Sequence, residues 1–310
     1  MSKQMMKAIR IYDYGGLDAL VLEEAPRPEP QAGQVLIRMQ AAGVNPADSA
    51  ARSGMFKQFM PLQFPWTPGL EGAGVVEALG EGAAGFKAGQ EVCGFVSGGY
   101  AQYALANEKD IQLKPSNLSM QEAASAPMGT AMAWGAVVEV AKVEDGQAVL
   151  IHGAAGGIGS YATQLSHWKK GYVIGVTSKA NLGFVKSLGA QLAIDYGEAQ
   201  FETVVQDVDV VIDTVGGNIP ERSWAVMRPG GILVTVAGRL APDAGKAQGV
   251  RAANVVRPTF GDHKQITELL AAKVLVPTIR AVFPLEEARK AQELSESKHG
   301  RGRIILQIPE

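Results

Sequence analysis

The sequence predicts an α/β protein in which a doubly wound parallel sheet follows an irregular β barrel or sandwich. Three observations carry this. Short strand-like runs separated by turn residues fill the chain from Lys7 to about Lys114. From about residue 120 to 270 strands alternate with helices, the order that builds a parallel sheet. Between Ala148 and Lys179 an apolar run, a glycine-rich turn, a helix and a second apolar run follow one another at the lengths of a nucleotide-binding βαβ unit.

In chain order, MKAIRIYDYGG, QVLIRMQAAGVNP, GAGVVEALGEG, QEVCGFVSGGYAQYALAN and IQLKP read as strands, with prolines 26, 28 and 30 and Gly98-Gly99 as punctuation. Residues 47–68, rich in Met, Phe and Pro, break the pattern and predict a long loop or lid. Ser119 with Glu122 forms a capping box, so a helix starts there, and Gly135 to Ala141 reads as a further helical segment. After the glycine turn, Phe184–Leu188 reads as helix and Ala193–Tyr196 as strand. Asp209–Thr214 and Gly231–Val236 read as buried parallel strands, and Ile266–Ala272 as the last helix of the sheet. The remainder, TIRAVFP, LEEARKAQELSES and GRIILQI, is strand, helix, strand. It cannot easily extend a completed parallel sheet and is expected to return to the first domain. The expected division is therefore 1–120 with 275–310, and 121–274.

The glycine turn carries a chemical prediction. Small residues let backbone N–H groups and the positive end of a helix dipole approach a pyrophosphate. In the G-x-G-x-x-G frame the first glycine is Ala154, followed by Gly156 and Gly159. The plain alternative is a glycine-rich turn in an ordinary βαβ unit. At the end of the second strand, where NAD-binding folds place a carboxylate for the ribose 2′-OH, the chain reads Val176-Thr177-Ser178-Lys179. A hydroxyl and an ammonium suit a 2′-phosphate, so the cofactor reading is NADPH rather than NADH. Lys179 could also be a solvated loop residue.

Composition bounds the rest. The 310 residues allow two cores, and a net charge of −2 gives no electrostatic footprint for nucleic acid or an anionic membrane. Cys93 is the single cysteine, which excludes an intramolecular disulfide and any multi-cysteine metal site. No spanning segment and no signal-peptide core stand out, so a soluble cytoplasmic protein is expected.

Several stretches together resemble one family. Gly43-Val44-Asn45-Pro46-Ala47-Asp48, Pro68-Gly69-Leu70-Glu71-Gly72-Ala73-Gly74, His152 to Gly159, Leu188-Gly189-Ala190, Ile194-Asp195-Tyr196 and Gly300 to Leu306 occur almost from end to end in family order. The chain resembles a zinc-free medium-chain dehydrogenase/reductase of the NADPH:quinone oxidoreductase (zeta-crystallin-like) type. The resemblance implies a Rossmann domain for NADPH and a GroES-like irregular β-barrel catalytic domain, in a homodimer. Zinc members place a cysteine where this chain has Val44-Asn45 and a histidine where it has Leu70, and neither Asn nor Leu makes a zinc site. Without a Lewis acid the implied acceptor is a quinone, or an alkene conjugated to a carbonyl.

By resemblance, Asn45 lies at the nicotinamide edge of the cleft, and Ala155, Gly156, Gly157 and Ile158 belong to the pyrophosphate turn. Ser178, Lys179 and Tyr196 surround the 2′-phosphate, Val215 borders the adenosine side, and Val236 and Ala237 flank the nicotinamide. The threonine expected near the nicotinamide falls on Met132, with Thr130 close by. Met55 and Phe56 stand where many members carry a tyrosine; with Phe64, Trp66, Phe59 and Met60 they form an apolar rim read as the substrate pocket, though ordinary packing would use the same residues. No side chain stands out as a proton donor. His152 reads as structural, Asp48 and Glu71 as hydrogen-bonded braces of the cleft, and Cys93 as a buried small residue. A non-catalytic NADPH-binding sensor is the alternative from outside the enzyme class.

Overall fold

A computed structural model describes residues 4–241, 243–255, 263–297 and 300–309. The chain divides into two compact units: Met1–Pro127 with Pro277–His299 and Arg303–Glu310, and Met128–Val276 with Gly300–Gly302.

In the first unit the 11-residue strand Gln34–Val44 is the organising element. Along one side it pairs antiparallel with Glu71–Leu79. On the other side Tyr103–Asn107 takes its first half and Arg303–Gln307 its second. Beyond Glu71–Leu79 come Glu91–Phe95 and Ile111–Leu113, and Ile279–Pro284 runs parallel to the final strand. Val35, Ile37, Met39, Val76, Val92 and Leu306 interdigitate in its core. Met5–Arg10 forms a separate ribbon with Val21–Pro26, a strand that the run Val21-Leu22-Glu23-Glu24 conceals because its side chains stay largely exposed.

Two sequence expectations change here. Residues 47–68 are not wholly loop: they open inside a helix, Pro46–Arg52, with proline at its first position, where no N–H is missed. Asp48 Oδ2 accepts the Asn45 backbone N–H at 2.9 Å, the returning half of a capping box. The Ser119–Glu122 box starts the helix Met120–Ser125 as expected. That helix packs on Gln34–Val44 and Glu71–Leu79, so the boundary between units falls after Pro127 rather than at 120.

Among the described residues of the second unit, six parallel strands stand in the order Leu192–Asp195, Tyr172–Thr177, Ala148–His152, Val208–Asp213, Met227–Thr235, Arg251–Asn254. Numbered along the chain this is 3-2-1-4-5-6, with the direction of winding reversing between the first and fourth strands. All six residues of Val208–Asp213 are buried, as a strand covered on both faces requires. Leu150, Ile174, Val211 and Leu233 form the core of one face. The strand Arg251–Asn254 went unread in the sequence, since Arg-Ala-Ala-Asn has no apolar pattern. The segment Gly135–Val140 continues helix Pro127–Trp134 in wider turns, with the Ala141 N–H donating to the Ala136 carbonyl.

Candidate active site

Asn45, Glu71 and Arg303 come together in the first unit because of register. Ile304 lies opposite Val44 and Gly72 opposite Ala42, so the residues just before or after these pairs converge at one end of three adjacent strands. Asn45 Nδ2 donates to Glu71 Oε1 at 2.8 Å, and Arg303 Nη2 donates to Asn45 Oδ1 at 2.8 Å and to Glu71 Oε1. All three are buried. Gly43 makes room for this: a Cβ there would stand 2.4 Å from Glu71 Oε1. Asp48 continues the cluster, accepting from the Tyr100 hydroxyl at 2.9 Å as well as from Asn45 N–H. Burial pushes the Asp48 carboxyl up to about 7 against these two hydrogen bonds, and its Oδ1 has no hydrogen-bond partner among the described residues.

In the zinc enzymes that the chain resembles, positions 44–45 and 70 carry metal ligands, and here they do not. The donors present are an amide and a carboxylate already bound by a guanidinium, Leu70 has no donor atom, and a divalent cation would have to displace Arg303 from Glu71. The residues do not fit zinc.

Asn45 is thus placed in a buried polar network. Among the aromatic and methionine candidates, Phe64 and Trp66 pack against the first unit's core, and Phe64 meets Tyr14 edge-on at 5.0 Å. Phe56 is half-buried, whereas Met55 is 71% exposed and Phe59 84%.

In the second unit the nucleotide candidates gather where strands end. Gly153 takes φ +71°, and a Cβ on Gly159 would lie 2.1 Å from the Gly153 carbonyl oxygen, so the turn closes only without side chains at these points. Helix Gly159–Trp168 then begins with no side-chain cap hydrogen bond at Ile158, and the Ser160 N–H donates to the Gly156 carbonyl at 2.9 Å. A side-chain-free turn leading into a helix start has the chemistry to receive a pyrophosphate. The Gly302 N–H donates to the Ala155 carbonyl at 2.9 Å, a neighbour that the ending GRGRIIL did not announce.

Asp213, at the end of its strand, organises the turns beside it. Its Oδ1 accepts from the N–H groups of Val215 and Gly216 at 2.9 Å, and its Oδ2 accepts from Thr235 Oγ1 at 2.7 Å. A Cβ on Gly153 would meet Val215 Cγ2 at 3.0 Å, and one on Gly216 the Ala237 carbonyl at 2.7 Å. Gly153, Val215 and Ala237 therefore share one end of the sheet; Val236, half-buried, donates its N–H to the Asp213 carbonyl. Thr130 is buried in helix Pro127–Trp134, next in sequence to Gly129, whose Cβ position lies 2.7 Å from the Gly157 carbonyl.

Farther along the same end, Thr177 and Asp195 pair across neighbouring strands, so Ser178 and Lys179 leave beside Tyr196. Tyr196 is 60% exposed and Ser178 Oγ accepts from Asn181 Nδ2. Lys179 Nζ donates to Glu198 Oε1. The absence of a carboxylate at the end of the second strand is thus offset by one arriving from the third. His152 is a core residue: its Nε2 lies 3.1 Å from Ser223 Oγ, its ring meets Phe201 edge-on, and burial pushes its pKa down to about 4. Cys93 is buried, its thiol pushed up to about 12 by desolvation.

Known proteins agree with this architecture. Residues 31–184 match the alcohol dehydrogenase GroES-like domain and residues 188–306 the zinc-binding dehydrogenase family. The quinone oxidoreductase of Sus scrofa is 31% identical over 98% of both chains. The chain belongs to the zeta-crystallin-like quinone oxidoreductase family of medium-chain dehydrogenases/reductases. It shares the two-domain α/β fold of that family, a GroES-like domain with a Rossmann-like parallel sheet, and is a nicotinamide-dependent oxidoreductase. A quinone oxidoreductase structure from Coxiella burnetii superposes with a TM-score of 0.91 at 32% identity, covering 99% of this chain and all of that one. The 2-methylene-furan-3-one reductase of Solanum lycopersicum is 39% identical over 76% of this chain; the match covers 63% of that protein, less than two thirds of its length.

Proposed function

We propose that this family member delivers hydride from NADPH to a quinone, without zinc. The observation that carries this is the Asn45–Glu71–Arg303 cluster, whose polar groups bond to one another and leave no donor set for a metal that could polarise a carbonyl. A quinone needs no such Lewis acid. When bound, NADPH supplies the hydride; the protein's part is to hold and orient. Ala155, Gly156, Gly157 and Ile158 hold the pyrophosphate, and Ser178, Lys179 and Tyr196 the 2′-phosphate. Val215 borders the adenosine, and Thr130, Val236 and Ala237 the nicotinamide. Asn45, Met55, Phe56, Phe64 and Trp66 are assigned to the acceptor, and water supplies the proton that completes quinone reduction.

A second reading, reduction of α,β-unsaturated ketones or aldehydes, is favoured by the tomato relative. Loss of NADPH absorbance in the presence of a small quinone or a conjugated enone, with NADH in parallel, separates the two. Faster quinone turnover with NADPH preferred supports the first reading; turnover of the enone alone replaces it with the second. Lys179→Ala is expected to raise KM for NADPH about tenfold or more and leave that for NADH unchanged, the size of a lost charge-assisted contact. We also infer a cytoplasmic homodimer. Arg251–Asn254, the last strand of the sheet among the described residues, is the edge at which a second copy would add, and light scattering at working concentration tests it.

A further inference from the structure

The strands Tyr172–Thr177 and Leu192–Asp195 run parallel and deliver two loops from the same end of the sheet. One carries Ser178 and Lys179, the other Tyr196, Gly197 and Glu198. The second loop is tightly tied: Asp195 Oδ1 accepts from Gly197 N–H at 2.9 Å, and the Asp195 carbonyl from Glu198 N–H at 3.2 Å. That turn aims the Glu198 carboxylate at Lys179, with which it forms an ion pair. The side chains are 61% and 75% exposed, so the pair contributes little to stability. Its consequence falls on ligand binding instead. Any anion that takes up Lys179 must first displace a carboxylate, then lie beside it.

We propose that Glu198 is a specificity-determining residue of the cofactor site, a resident carboxylate that competes with the 2′-phosphate for Lys179 and restrains the preference for NADPH. This rests on the assignment of Lys179 to the 2′-phosphate. A phosphate monoester carries between one and two negative charges near neutral pH and feels both effects of Glu198, the occupied ammonium and the direct repulsion. A nucleotide with a free 2′-hydroxyl feels neither. Glu198 therefore narrows the gap between the two cofactors. Because the groups are exposed, the effect fades as salt shortens the screening length.

The test is calorimetric titration of the full chain, as wild type, Glu198→Gln and Lys179→Ala, with 2′,5′-ADP and with 5′-AMP. Glu198→Gln is expected to bind 2′,5′-ADP about fivefold more tightly at low ionic strength, with 5′-AMP unchanged and the gain shrinking in high salt. An unchanged affinity for 2′,5′-ADP, or an equal gain for both ligands, overturns the proposal. Lys179→Ala separates the two levels of argument. If it weakens 2′,5′-ADP alone while Glu198→Gln changes nothing, only the role of Glu198 fails; if it changes neither ligand, the 2′-phosphate assignment fails and the proposal with it. Matching melting temperatures of the three proteins exclude misfolding as the source of any difference.

Discussion

Asp48 shows what burial does to a single carboxyl. With its folded pKa near 7, well above the ordinary value of 3.8, the folded protein holds a proton there that the unfolded chain releases between these values. The stability this confers is complete below pH 3.8 and is lost as the pH rises through 7. Asp48→Asn keeps the acceptor for Asn45 N–H and Tyr100 but cannot ionise. Urea midpoints of the variant should fall less across that interval than those of the wild type; parallel curves would refute the assignment. Arg303 is the opposite case, a buried cation on a buried carboxylate. Arg303→Met leaves Glu71 without its cation and should cost about 3–5 kcal/mol in urea unfolding, with much of the loss restored in Arg303→Met/Glu71→Gln. Sequence reasoning had singled out Asn45, Asp48 and Glu71 from their motifs, yet not Arg303. An arginine before Ile-Ile-Leu carries no sign that it points inward.

Elements explain why those motifs look as they do. The glycine of Gly43-Val44-Asn45 is needed because Glu71 arrives over it from the paired strand, and Gly159 is needed because the turn from Gly153 closes against it. Gly159→Ala would place a methyl group 2.1 Å from a backbone oxygen. It should cost about 1–3 kcal/mol and weaken NADPH binding together with stability. Gly183→Ala, in helix Leu182–Ser187 with nothing within 4 Å of the added carbon, should leave both unharmed or gain a few tenths of a kcal/mol. Thermal melts with and without NADPH check the pair. Long apolar strands such as Val208–Asp213 were legible because burial on both faces demands apolar residues throughout. Val21–Pro26 and Arg251–Asn254 were not, since an exposed or edge strand is held by backbone pairing that no side-chain pattern records.

For the whole molecule, the chemistry of the donor set makes a prediction about metal. Dialysis against a chelator should leave the nicotinamide-dependent reductase activity unchanged, because Asn45, Leu70 and an Arg303-bound Glu71 offer zinc no site. Loss of activity that zinc restores would overturn the zinc-free reading. The return of the chain's end also belongs to this scale. Arg303–Gln307 completes the sheet of the first unit, while the three residues before it, Gly300–Gly302, cluster with the second. The sequence signalled a strand–helix–strand tail, and the pairing partner of its last strand emerged only from the folded sheet.

The sequence by itself determined the alternation of strands and helices, the glycine turn, the family and the absence of zinc ligands, because each depends on residue type and local spacing. The tertiary structure decided that Arg303 neutralises Glu71, that Thr235 meets Asp213 and that Glu198 meets Lys179. These are encounters between side chains far apart in the chain, and strand register, which no local pattern encodes, brings them together.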